Sequence, residues 1–269
     1  MAEVVTVDVE AGVALVTLNR PDSMNALDSE LLDRLPHVLR ALAHDPEVGC
    51  VVLTGAGRGF CAGGDLKSRQ AEHDAIAQLS EAERNKLTAA YRVDGLLKAR
   101  SDSPRLLHDM SKPTIAMING PCAGAGLSLA GACDLRISAD SAVFSIAFTS
   151  VGLCGDFGGT WFWTQILGAA KARELYMLPR RMTAQEALER GMVTQLVPDA
   201  QLREHTMKIA REIAAGPRWA YAYAKDNLNI AEDGTLDRVL QAEAMTQGLS
   251  GRTNRQFGFV PASVLSKSK

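Results

Sequence analysis

Apolar positions along the chain switch between two periods. Val4 to Val9 and Val13 to Leu18 flank Glu10-Ala11-Gly12 and read as two strands of a hairpin. From Ala26 to about Ala43, Leu27, Leu31, Leu35, Val38, Leu39 and Leu42 recur at helical spacing on one face. Cys50-Val51-Val52-Leu53-Thr54 is a short apolar run, the pattern of a strand buried on both faces. Thr114 to Ile118 and Leu135 to Ser138 read the same way, and Val143-Phe144 opens a further strand. Residues 69 to 110 are charged and helical in composition, a solvated helix pair. Thr183-Ala184-Gln185-Glu186 has the form of a capping box that opens a short helix ending at Gly191, and Val193 to Val197 closes as a strand. Beyond 199 the pattern is helical, with breaks at Gly216-Pro217 and Gly234. Strands separated by helices predict an α/β fold of stacked ββα turns, residues 1–198, followed by a helical subdomain, 199–269. No exact sequence repeat accompanies it.

The composition of the 269 residues is that of a globular protein: 46% apolar, 22% charged, net charge −2. Such a balance favours neither nucleic acid nor an anionic membrane as partner. The stretch 113–133 is uncharged and long enough to span a bilayer. Pro113, Asn119, Pro121 and four glycines break it into strand, turn and buried helix instead. Five cysteines without CxxC pairing, and an N-terminus unlike a signal peptide, lead to the expectation of a reduced, cytoplasmic location and no metal site. Between 113 and 170 the charged residues are Asp134, Arg136, Asp140 and Asp156 alone. A charge in so apolar a stretch needs a partner or a chemical task.

Three glycine-rich segments follow apolar runs: Phe60-Cys61-Ala62-Gly63-Gly64-Asp65-Leu66, Asn119 to Leu129, and Gly152 to Trp161. Glycine lets a backbone approach a ligand and present N–H groups to it. The second segment runs into an apolar helix, whose first N–H groups suit a phosphate or a developing oxyanion. No GK[ST] follows, which excludes a Walker A loop, and Gly-Ala-Gly-Leu-Ser-Leu lacks the third glycine of a dinucleotide fingerprint.

Taken in order with Leu18-Asn19-Arg20-Pro21, Asn25-Ala26-Leu27, Lys112-Pro113, Cys133-Asp134 and Ala184-x-Glu186-Ala187-Leu188-x-x-Gly191-Met192-Val193, these segments resemble the crotonase (enoyl-CoA hydratase/isomerase) superfamily across nearly the whole chain. The resemblance implies the crotonase spiral of ββα turns. It also implies a pocket for an acyl-CoA thioester, with coenzyme A entering as part of the substrate and no separate cofactor. The N–H groups of Gly64 and Ala125 match the two that hold the thioester oxygen as an enolate. The carbonyl of Ala62 matches the position that meets the adenine, and Asp22, Ser23 and Met24 match the stretch beside the nucleotide. Gly63, Asp65, Leu66, Gly124, Ser128, Phe148 and Trp161 complete the expected binding positions. A homotrimer or homohexamer is implied as well.

The two glutamates of the family's hydratases match Ser128 and Phe148 here, and neither side chain can act as a carboxylate. Ser128 reads first as a small packing residue. The acid that remains is Asp156, where phenylacetate-pathway and dienoyl-CoA isomerases of the family place a catalytic aspartate. Phe148, Leu153, Cys154, Phe157 and Trp161 are expected to desolvate it; the alternative is that it caps the helix beginning near Gly158. The expected activity is enoyl-CoA isomerisation. The alternatives are hydration with Asp156 and Ser128 in altered roles, or binding of acyl-CoA without catalysis. The five histidines read as surface residues, and Cys61 and Cys122 as packing. Arg252, Arg255, Phe257 and Phe259 are candidates for tail contacts with CoA.

Overall fold

The computed structural model describes residues 3–90 and 96–258. Six strands form one sheet in the order β1 (Val5–Glu10), β2 (Val13–Leu18), β3 (Cys50–Gly55), β4 (Thr114–Ile118), β6 (Leu135–Ala139) and β9 (Gln195–Val197). The β1–β2 hairpin is antiparallel and every later pair is parallel. A smaller sheet holds β5 (Cys122–Ala123), β7 (Val143–Ser145) and β8 (Met182–Thr183). The helices are α1 (Ser29–His44), α2 (Leu66–Ala77), α3 (Glu81–Ala90), α4 (Leu96–Asp109), α5 (Ala125–Ala132), α6 (Gly159–Met177), α7 (Ala184–Glu189), α8 (Leu202–Ala214), α9 (Arg218–Asp233) and α10 (Leu236–Phe257).

The expected spiral is present, and its repeat lies in topology. Each turn places a strand in the large sheet, then a short extended segment beside the smaller one, then a helix. β4, β5 and α5 make one turn; β6, β7 and α6 make the next. Two isolated parallel bridges carry the plan backwards: Cys61 beside Cys122, and Leu27 beside Gly64. The four buried cysteines therefore pack in the interior, and burial raises the thiols of Cys61 and Cys133 to about 12, out of reach of thiolate chemistry.

The central strands are buried on both faces, as their unbroken apolar runs demand. Leu31, Leu35, Val38, Leu39 and Leu42 of α1 join α4, α5 and α6 over one face. Leu202, Met207, Ala210 and Ala214 of α8 cover the other, against Val13, Leu15, Val52, Ile115 and Ile137. The expected boundary at 198 falls just before this helix. Thr183 and Glu186 form the capping box of α7. α9 is pinned to the core by Lys225, which is 5% exposed and donates to Asp134 Oδ2 at 2.8 Å and to the Leu107 carbonyl at 2.9 Å. α10 carries Leu236, Leu240, Met245 and Leu249 exposed. No helix among the described residues is long and apolar enough to cross a membrane.

Candidate active site

One cavity gathers the first two glycine segments and the start of the third. It is lined by residues 62–64, Leu66, 124–125, 147–148, Val151, Leu153 and 156–157, with Leu27 and Leu32 beside them. The floor is built almost wholly from backbone. Gly63 accepts from Leu27 N–H at 2.7 Å, and Asp65 N–H donates to Leu27 at 3.0 Å. Residues 63 and 65 therefore face Leu27, and alternation along the extended chain turns the N–H of Gly64 the other way, towards the cavity. Ala125 is the first residue of α5, where the N–H has no intrahelical acceptor. Neither N–H donates to a backbone carbonyl among the described residues. Two donors at one cavity, one at the positive end of a buried helix, form a site for an oxyanion.

The floor is held from below by polar groups. Asn25 is fully buried; its Oδ1 accepts from Arg20 N–H at 2.9 Å, and its Nδ2 donates to the carbonyls of Ala56 and Gly59 at 2.9 and 2.8 Å. Asn119 Nδ2 reaches Gly55 and Gly57 at 2.9 and 3.0 Å, and Thr54 Oγ1 donates to Met117 at 2.8 Å. Gly124 has φ 52° and ψ −124°, a conformation open to glycine, and it turns the chain from β5 into α5. These ties leave residues 55–65 and 119–125 stacked backbone on backbone.

The expected binding residues divide between cavity and support. Ala62, Gly63, Gly64, Leu66, Gly124, Ala125, Phe148 and Asp156 line the cavity. Asp65, Met24, Ser128 and Trp161 do not. Asp65 caps α2, accepting from Lys67 and Ser68 N–H at 3.1 Å, and binds Arg20 at 3.0 Å. Burial raises its pKa, but those N–H bonds and the Arg20 guanidinium outweigh it and hold the carboxyl below its usual value. Arg20 also pairs with Asp28, the cap of α1, at 3.0 Å. Met24 supports the floor through its carbonyl, which accepts from Ala62 N–H at 2.9 Å. Ser128 is buried one turn into α5, its Oγ against Gly159. Trp161 points away because it stands two residues past Gly159, the residue that packs on α5; two residues are over half a helical turn. Its ring meets His108 edge-on at 5.3 Å on the outer side of α6.

The cavity's remaining wall is the segment 147–158. Phe148, Leu153 and Phe157 surround Asp156 there, whereas Cys154 and Trp161, also expected as neighbours, face other clefts. Asp156 is the sole titratable side chain among the described lining residues. The N-cap position of α6 is Gly158, so Asp156 lies two residues ahead of the cap, its carbonyl accepting from Gly159 N–H at 3.1 Å. His108 departs from the surface reading: it is half-buried, packed on Trp161 and Phe162 and paired with Glu232 at 3.1 Å, and burial lowers its pKa. Of the tail candidates, Phe257 stacks on Trp219 and Phe259 lies outside the described residues. Asn25 and Arg20 lie inside the family-like motifs, but nothing in the sequence gives them a task. An asparagine beside a turn is a candidate for left-handed backbone, and Asn25 indeed has φ 57°.

The family model for enoyl-CoA hydratase/isomerase matches residues 8–258. The chain belongs to that family. It is 37% identical to the 1,2-epoxyphenylacetyl-CoA isomerase of Escherichia coli, over 94% of this chain and 92% of the relative. It is 31% identical to 4-chlorobenzoyl coenzyme A dehalogenase-2 of an Arthrobacter species, over 89% and 82% of the two chains. A solved enoyl-CoA hydratase from Bacillus anthracis superimposes with a TM-score of 0.78 at 30% identity, covering 96% of this chain and 98% of that one. These relatives carry out different reactions, so family membership gives an acyl-CoA-processing enzyme and leaves the reaction to the pocket.

Proposed function

We propose that this enzyme moves the double bond of an enoyl-CoA, from 3-enoyl to 2-enoyl. The observation that carries the reading is the single carboxylate among the described lining residues, Asp156, in an apolar cavity beside the N–H groups of Gly64 and Ala125. Asp156 takes a proton from the α-carbon of the thioester. The electrons move onto the thioester oxygen, held by the two N–H groups as a dienolate. The protonated Asp156 then delivers the same proton to the γ-carbon. One carboxyl group suffices because it returns what it took. Adding water demands a group to activate water and one to protonate carbon. The positions matching the hydratase glutamates hold the buried ring of Phe148 and the helix-packed Ser128, which favours isomerisation. The exposed apolar side chains of α10 support self-association as a trimer or hexamer.

The test is incubation with a panel of 2-enoyl-, 3-enoyl- and dienoyl-CoA esters, with products identified by mass and NMR. Formation of the 2-enoyl from the 3-enoyl ester is expected. Asp156→Asn should lose about a hundredfold to ten-thousandfold in turnover while binding a saturated acyl-CoA within a few-fold. Robust hydration of a 2-enoyl ester by the unmodified enzyme would sink the reading.

A further inference from the structure

α6 folds back on itself. Gly168 has φ 76° and ψ 159°, outside helical values and open to glycine, and the helix breaks there. In a straight helix, residue 176 would stand roughly 25 Å along the axis from residue 159. Instead the Tyr176 hydroxyl lies 2.7 Å from where a Cβ on Gly159 would sit, and the ring Cε1 lies 3.0 Å from where a Cβ on Gly155 would sit. Both glycines flank Asp156, and their missing side chains leave the space the phenol occupies, shared at Gly159 with the Ser128 hydroxyl. Thr149 Oγ1 donates to the Tyr176 carbonyl at 3.0 Å, tying the end of α6 to the start of the same segment. The ring is 6% exposed, and its buried hydroxyl has no hydrogen-bond partner among the described residues. A buried hydroxyl without a partner typically costs about 1–3 kcal/mol, so its retention points to a task.

We propose that Tyr176 is a positioning residue for the acid, its phenol donating a hydrogen bond to the Asp156 carboxylate when acyl-CoA fills the cavity, holding it ionised and aimed at the thioester. The proposal rests on the isomerase reading for what Asp156 does. A carboxylate closed in by Phe148, Leu153 and Phe157 loses water, and a donor on its far side restores the balance towards the charged form. Burial first, and then the field of Asp156, raise the Tyr176 pKa, so the phenol keeps its proton as donor through neutral pH. Other charged groups near α6 lie elsewhere: Arg173 faces the second cleft with Cys154 and Tyr176, and Arg105, His108, Asp109, Glu232 and Asp233 face a third with Gly158 and Trp161.

Tyr176→Phe keeps the ring and removes the donor. The carboxyl is read directly by titrating full-length protein labelled with carboxyl-13C aspartate in the presence of butyryl-CoA, with the Asp156 resonance assigned by its loss in Asp156→Asn. The midpoint in Tyr176→Phe should rise by about one unit. With 3-hexenoyl-CoA, the acid limb of the kcat/KM profile should move to higher pH, and kcat should fall about tenfold with KM within about twofold. A purely structural tyrosine would change the thermal melt and leave the midpoint in place. A midpoint that does not move overturns the proposal, whatever the activity. If the unmodified enzyme isomerises no enoyl-CoA, the functional reading falls, while the titration still decides whether Tyr176 acts on Asp156.

Discussion

The two walls of the cavity are made differently. The oxyanion floor, residues 55–65 and 119–125, presents main-chain N–H groups and is cross-tied by Asn25, Asn119 and Thr54. The acid wall, residues 147–158, presents side chains and follows a backbone with left-handed residues at Ala147, Gly152, Gly155, Phe157 and Gly158. Val151 and Leu153 there remain 51% and 39% exposed. A floor made of N–H groups keeps its chemistry under most side-chain changes. A wall made of side chains changes its chemistry with one substitution. On the proposed mechanism, the floor serves to stabilise a thioester oxygen, and the wall selects which proton transfers accompany it.

The sharpest way to break this contrast is to remove a donor from the floor without unfolding it. Proline is tolerated at the first position of a helix, where its missing N–H has no intrahelical acceptor. Ala125→Pro should therefore keep α5 while losing about a hundredfold to a thousandfold in kcat for any enolate chemistry the site performs. Its melting temperature should stay close to that of the parent. Retention of full turnover would show that the Ala125 N–H does not hold the oxygen. Asp156→Asn gives the complementary loss from the acid wall, and comparing the two on Cα–H exchange of a saturated acyl-CoA separates oxyanion stabilisation from proton transfer.

Next in size is the support beneath the floor. Asn25→Ala strands the Arg20 N–H and the Ala56 carbonyl, leaves Gly59 with its longer bond from Asn119 Nδ2 at 3.3 Å, and places alanine at φ 57°. It should cost about 2–4 kcal/mol in urea unfolding. KM should rise more than kcat falls, because the residues beside the entering thioester loosen while Asp156 is untouched. An equal change in both would contradict the division of labour between floor and wall.

The smallest effect belongs to Asp65. Its folded pKa is depressed, so its stabilisation is fully present above the unfolded value of about 3.9 and is lost as pH falls through the lower folded value. Asp65→Asn should be less stable than the parent by about 1 kcal/mol or less at pH 7, and the two should converge as pH falls through the lowered folded value. A stability gap that persists in acid would mean that packing, and not charge, ties α2 to Arg20.

Much of this molecule could be read along the chain. The hairpin at Glu10-Ala11-Gly12, the apolar face of α1, the buried runs at 50–54 and 114–118 and the capping box at Thr183 are local patterns, and local patterns survive into the fold. The glycine segments and the lone acid at Asp156 were also legible, because both are chemical rarities in their surroundings. Tertiary structure decided what depends on direction and long separation. Cys154 stands nearer in sequence to Asp156 than Leu153 does, and Trp161 follows within the next turns of chain, yet helix phase and loop path turn both to other clefts. Lys225 reads as one more surface cation until α9 buries it against Asp134, 91 residues away. Tyr176 meets the Asp156 segment because the chain doubles back at Gly168, and no periodicity encodes where a helix returns. Sequence specified the elements and the reactive groups; packing between distant turns of the spiral specified which of those groups share a cavity.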